Sequence, residues 1–288
     1  MNPKNTYPVP TAFFIGIGAS VVASVIAGVL YGIAYHTSYD TLIRHFDADA
    51  VPPVIFGVLM LLVSVTFSVT SLLFRKKYSL EDCAPGSAEI FALWLCGLMF
   101  LIFGFMSVSS GSSSESSAIG SVCAKAIAPL AILSAVPFFM RTSGRMRNTA
   151  VHSALTLAPV LWGICLLFKY YFDLKEMPLN DPELTLTMVS VSCAVIFFLG
   201  ECRKALGMCS ASLSVFCPAA ALCLTGSISA PRIVLWRVDG HSIPEPAETM
   251  LLFAVAILAG CRLYEMAHSF APASAGEAVA TPAQGDAE

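Results

Sequence analysis

Eight apolar runs, each about long enough to cross a bilayer, divide this chain: 11–35, 53–74, 88–107, 118–140, 149–171, 184–206, 211–231 and 249–268. A helix needs about 20 mostly apolar residues to span the hydrocarbon core. In lipid every backbone N–H and C=O must be satisfied within the protein, so a segment of this length crosses as a helix and an open sheet is excluded. The runs predict an all-α, polytopic transmembrane helical bundle of eight spans over residues 1–270. The third and seventh runs carry the weakest signal. Glu89 stands in the first turn of the third, and Pro218 in the first half of the seventh. The first run is too long for the apolar region of a cleaved signal peptide, and only Lys4 precedes it as a charge.

Charge supports the same reading. Only 12% of the residues are charged and 57% are hydrophobic, whereas soluble domains carry about 25% and about 45–50%. The lipid bilayer is therefore the expected main partner. A net charge of −3 offers no basic field, so no nucleic acid is expected.

Lys and Arg stay on the cytoplasmic side of membrane proteins. With the N-terminus inside, ten of the 16 basic residues face the cytoplasm, and the loops 75–87 and 141–148 hold three each. An even number of spans then puts both termini inside. The outer loops are acidic and include Asp181, Glu183 and Glu248. Arg232 falls just beyond the seventh run, in an outer loop over 232–248. Tyr31, Tyr35 and Tyr39 are placed for an interfacial aromatic belt, and Trp162 for packing inside the bundle. The serine-rich stretch 107–121 reads as an outer loop. Residues 271–288, rich in Ala, Gly and Pro, read as a disordered cytoplasmic tail.

Packing has its own signature in the first run. Gly16, Ser20, Ser24, Gly28 and Gly32 recur every four residues and lay a stripe of small side chains down one helix face. Small residues let helix backbones approach closely where lipid removes the hydrophobic drive. The neighbouring helix belongs to this chain or to a membrane-protein partner, and self-association is one form of the latter. In the second run Ser64, Thr66, Ser68 and Thr70 offer a candidate polar path. The ordinary role of such hydroxyls is to bond to their own helix backbone.

The other charges sit at helix ends: Glu89 and His152 in first turns, Glu201, Arg203, Lys204, Arg262, Glu265 and His268 in last turns. No ionisable group is expected to be buried as a proton relay. Leu199-Gly200-Glu201-Cys202-Arg203 and Leu258-Ala259-Gly260-Cys261-Arg262 look alike, which suggests a ring of bases, an internal repeat, or cations suited to helix C-termini. His45-Phe46-Asp47-Ala48-Asp49 matches no specific metal-ligand spacing. The ten cysteines contain no CxxC. There is no HExxH, GxSxG or P-loop. No catalytic, cofactor or metal residue is assigned, no cofactor is expected, and an enzyme is disfavoured.

The segment Ala158-Pro159-Val160-Leu161-Trp162 through Lys169-Tyr170-Tyr171-Phe172-Asp173, with the following helix ending Gly200-Glu201-Cys202-Arg203, resembles a pattern in an uncharacterised group of multi-pass membrane proteins of Gram-positive anaerobic bacteria. The resemblance covers about fifty residues. It implies a plasma (cell) membrane location and no known activity. The expectation from the residues is a non-enzymatic membrane component that packs with partners or senses the envelope. The alternative is a transporter or channel for a small, uncharged solute. A water-filled centre lined by Ser64 and Ser68 would favour the alternative, and a dry centre the first reading.

Overall fold

The computed structural model describes residues 11–40, 45–47, 49–73, 86–109, 118–142, 150–173, 181–208, 210–239 and 246–269. They form ten helices that make eight candidate membrane spans. The helices are α1 (Thr11–Ser38), α2 (Val51–Leu73), α3 (Ser87–Ser109), α4 (Ala118–Thr142), α5 (Ala150–Leu155), α6 (Ala158–Asp173), α7 (Pro182–Ala205), α8 (Ala211–Ala220), α9 (Gly226–Asp239) and α10 (Pro246–Ser269). A short antiparallel pair, β1 (Tyr39–Asp40) and β2 (His45–Phe46), links α1 to α2 with Tyr39 opposite Phe46. The protein is an all-α polytopic membrane bundle, and the third and seventh runs both form helices long and apolar enough to span a membrane. The tail 271–288 and most of the serine-rich stretch lie outside the described residues. The stretch's two ends, 107–109 and 118–121, are helical.

Local chemistry explains the irregular places. Pro159 has no N–H to give, and the fifth span breaks there into α5 and α6 around a turn at Thr156–Leu157. Asp181 caps α7: its side chain accepts from the backbone N–H of Glu183 at 2.9 Å and of Leu184 at 3.3 Å, with Pro182 in the first turn. At the other end Gly207 takes φ +74°, and Gly207 and Met208 donate to Lys204 O and Arg203 O. That left-handed closure suits glycine. Pro218 lies inside α8 without ending it, and a π-helical turn at Ala221–Thr225 leads directly into α9. Pro231 lies inside α9 without ending it. The sequence reading stops this span at 231, and the helix instead runs on to Asp239. Arg232 is therefore in the helix and not in a loop.

α10 and the α8–α9 span form the middle of the bundle: 61% of each apolar window is buried, against 28% for α1 and for α2. α10 packs on α3 and α9. α4 packs on α3 and α6, and α6 on α7. The α1–α2 pair lies against α8 and α9. The larger half is centred on aromatic rings. Trp162 and Phe100 are fully buried and meet edge to face at 5.0 Å, with Phe103 edge-on to Trp162 at 5.7 Å and Phe138 and Phe198 against Phe100. Close backbone approach makes room for these rings. A Cβ on Gly104 of α3 would lie 2.7 Å from Ile132 of α4, and one on Gly163 of α6 would lie 2.3 Å from Val195 of α7. The flanks carry exposed Val, Ile and Leu along α1 and α2, a surface suited to lipid contact.

Candidate functional site

Buried charge gathers at the two ends of the bundle. At one end, nearest the basic loops, Glu89 opens α3 and is fully buried. Arg141 ends α4, Glu201 lies in the last turns of α7, and Arg262 lies on α10, only 5% exposed. Arg141 Nε is 3.4 Å from Glu89 Oε1, and Arg141 Nη1 donates to Glu201 Oε2 at 2.9 Å. Arg262 Nη2 donates to the same Glu201 oxygen at 2.6 Å, and Arg262 Nη1 contacts Glu89 Oε1. Each guanidinium thus bridges both carboxylates, and four helices are joined. Glu265, one turn after Arg262, accepts from the backbone N–H of Gly86 at 2.7 Å and holds the entry to α3.

At the acidic end the arrangement centres on Arg232 of α9, which is 3% exposed. Its Nε donates to Tyr31 Oη of α1 at 3.1 Å, Nη1 to Thr187 Oγ1 at 2.8 Å and Nη2 to the Glu183 carbonyl of α7 at 2.9 Å. The Glu183 carboxylate is 3.8 Å from Arg232 Nε and accepts from Tyr39 Oη at 3.3 Å. Burial, and then the Glu183 carboxylate, push the Tyr39 phenol up from its ordinary value. Nearby, Tyr170 Oη donates to Glu248 at the start of α10. Tyr39 stacks on Tyr35 at 4.6 Å and meets Phe46 edge-on at 5.2 Å, so the β1–β2 pair covers this cluster.

The sequence reading places these charges at helix ends or in outer loops and expects no buried proton relay, and it does not foresee their burial. The charges do lie at helix ends, but Glu89, Arg262, Arg232 and Glu248 are 5% exposed or less. Their partners come from other helices, which local sequence does not reveal. Tyr31 and Tyr35 are buried rather than set in an interfacial belt. The two similar helix ends do not make a ring of bases, because Arg203 is exposed while Arg262 is buried against Glu201.

The small-residue stripe divides between two neighbours in the same chain. A Cβ on Gly16 would lie 2.3 Å from Thr70 Oγ1 of α2. A Cβ on Gly28 would lie 3.2 Å from the Ser227 carbonyl of α9, and one on Gly32 would meet Pro231 at 3.7 Å. Pro231 has no N–H to donate to that carbonyl, so the carbonyl is turned to the bare Cα of Gly28. Ser20 and Ser24 donate to Gly16 O and Ser20 O, within their own helix. In the candidate polar path Ser64, Thr66, Ser68 and Thr70 likewise donate to Met60 O, Leu62 O, Ser64 O and Thr66 O at 2.6–2.8 Å. Their protons are committed to backbone carbonyls. Among the described residues no group of three His, Cys, Asp or Glu is placed to hold a metal, and the described cysteines are free thiols.

No family model, no curated protein and no solved structure matches this chain. The protein is an integral, multi-pass membrane protein on its eight spans.

Proposed function

We propose that the chain is a non-enzymatic, non-conducting component of a bacterial plasma membrane, oriented with both termini in the cytoplasm, that acts by packing with partners or by sensing the envelope. One observation carries the reading. The middle of the larger half is filled by Phe100, Phe103, Phe138, Trp162 and Phe198, with no hydroxyl of the second span turned toward it. A solute path needs polar groups that face a cavity, and an aromatic core packed at close range supplies none. The ion clusters add to this by tying helices together at both ends.

The second reading, a transporter or channel for a small, uncharged solute, is favoured by one feature. The α8–α9 span carries Pro218 and a π turn at Ala221–Thr225 and, two turns further on, the buried Arg232, and irregular helices with buried charge recur in transporters. Reconstitution into liposomes separates the two. The first reading expects glycerol and urea to enter proteoliposomes no faster than empty vesicles, with a stoichiometric partner retained in mild detergent. Solute entry that depends on the protein would overturn it in favour of the second.

A further inference from the structure

The quartet at the basic end leaves one carboxyl oxygen unserved. Glu201 takes a hydrogen bond from each guanidinium, and Glu89 Oε1 faces both. Glu89 Oε2 has neither. It is buried, and among the described residues no N–H or O–H donates to it. A carboxylate oxygen in that position has given up its water and gained no donor in return, which is costly.

A second acid stands beside it. Glu265 of α10 brings its carboxyl into hydrogen-bond contact with the carboxyl of Glu89. Carboxylates only accept, so a hydrogen bond between two of them requires a proton. Glu265 is also anchored by the backbone. Its Oε1 accepts from the N–H of Gly86 at 2.7 Å, and a Cβ at residue 86 would lie 2.6 Å from that oxygen. The glycine thus admits the carboxyl to the head of α3. Among the described residues, the charged and titratable groups around the pair are Arg141 on α4, Arg262 and Cys261 on α10, and Glu201 on α7 with Lys204 acting on it. The two guanidiniums favour negative charge on Glu89 Oε1. A shared proton leaves that charge in place, because the two carboxyls together still carry one negative charge. Without the proton they carry two, in contact and with Glu89 wholly out of water, where like charges repel strongly.

We propose that Glu89 and Glu265 share one proton, which latches the head of α3 to α10 and makes this end of the bundle a pH-sensitive contact. With the proton in place, one side chain of α10 holds both the backbone at Gly86 and the side chain of Glu89 in the first turn of α3. Without it the two carboxylates repel and the contact loosens. Unfolding releases the proton. The stability it adds is therefore complete below the ordinary glutamate value of about 4.3, and it is lost as the pH rises past the point where the folded pair gives the proton up. The latch does not rest on the reading of function given above.

The test follows thermal unfolding of the full chain in detergent from mildly acidic to alkaline pH, with infrared spectra taken at neutral pH. The parent should show the C=O band of a protonated carboxyl at neutral pH. Its unfolding equilibrium constant should rise by up to about tenfold per pH unit as the shared proton is lost. Glu89→Gln and Glu265→Gln each place an N–H where the proton sat. Each should remove both the band and that pH slope and leave the melting temperature at neutral pH unchanged. Where one variant folds poorly, the other carries the reading. The proposal is overturned if the parent lacks the band, or if the slope persists in both variants. A neutral-pH melting temperature lowered in both variants also overturns it, since the acids would then act as plain ion-pair partners. So does one raised in either, since two unprotonated carboxylates would then be repelling each other in the parent.

Discussion

The two ends of the bundle bury arginine in opposite ways. At the basic end two guanidiniums face two carboxylates, and each guanidinium bridges both acids. At the acidic end one guanidinium is held by two hydroxyls and a carbonyl, with its carboxylate farther off at 3.8 Å. Glu183 and Glu248 there each take a tyrosine hydroxyl. Taking ions out of water costs several kcal/mol each, and mutual attraction offsets this only when the geometry is complete. The quartet is therefore brittle. Remove one member and a buried ion loses one of its two counter-charges. The Arg232 site spreads its contacts over neutral groups on α1 and α7, and those groups lose less when the cation is gone.

The largest effect follows from the quartet. Arg262→Ala leaves Glu89 with Arg141 at 3.4 Å as its remaining cation, in a fully buried position. A loss of about 3–5 kcal/mol in stability is expected, read as a lower unfolding temperature in detergent. Arg262→Lys should recover little, because a point ammonium does not bridge two carboxylates as a fork does. Replacing the whole quartet (Glu89→Leu, Arg141→Met, Glu201→Leu, Arg262→Met) should return most of the lost stability, since no ion then remains to be desolvated. If the quadruple variant is as unstable as Arg262→Ala alone, pairing is not what makes this end brittle.

Arg232→Ala is expected to cost less, about 1–3 kcal/mol. Thr187 keeps its own bond to Glu183 O at 2.9 Å, and Tyr39 still donates to the Glu183 carboxylate. The loss falls mainly on Tyr31 and on the link between α1 and α7. Hydrogen exchange of α1 should therefore rise near Tyr31 while α3 and α4 stay protected. A loss equal to that of Arg262→Ala would erase the distinction between the two ends.

These contrasts were hidden at different depths in the chain. The apolar runs fix the number of spans because crossing lipid leaves a helix no alternative partner for its backbone. They end the seventh span too early because Pro231 is a local stop signal. A proline removes one helical hydrogen bond, and at this position Gly28 lies against the carbonyl left behind. Local signals thus place Arg232 in a loop, although it is the centre of a buried cluster. The partners within the clusters are 45 to 201 residues apart in sequence, and the order in which helices pack is not written in any local period. The small-residue stripe was legible as a packing face. That Gly16 would serve α2 while Gly28 and Gly32 serve α9 was not, since both uses demand the same residue types. The likeness of the helix ends at Glu201 and Arg262 had a meaning that spacing alone did not carry: these two residues bond to each other at 2.6 Å.

The smallest effect tests how far the tyrosines stand in for cations at the acidic end. Tyr39 donates to Glu183 over 3.3 Å, a long bond at a half-buried site, so Tyr39→Phe should cost only about 0.5 kcal/mol near neutral pH. Its pH dependence is the sharper reading. Burial and the neighbouring carboxylate raise the Tyr39 phenol in the folded state above its ordinary value of about 10. The folded protein then holds that proton where the unfolded chain has released it. The contribution of Tyr39 to stability is complete below about pH 10, and it falls as the pH climbs above that value toward the folded-state one. Unfolding measured from neutral to alkaline pH should show a steeper alkaline decline in the parent than in Tyr39→Phe, with the two curves parallel below it. Parallel curves throughout would mean that Glu183 draws nothing from Tyr39.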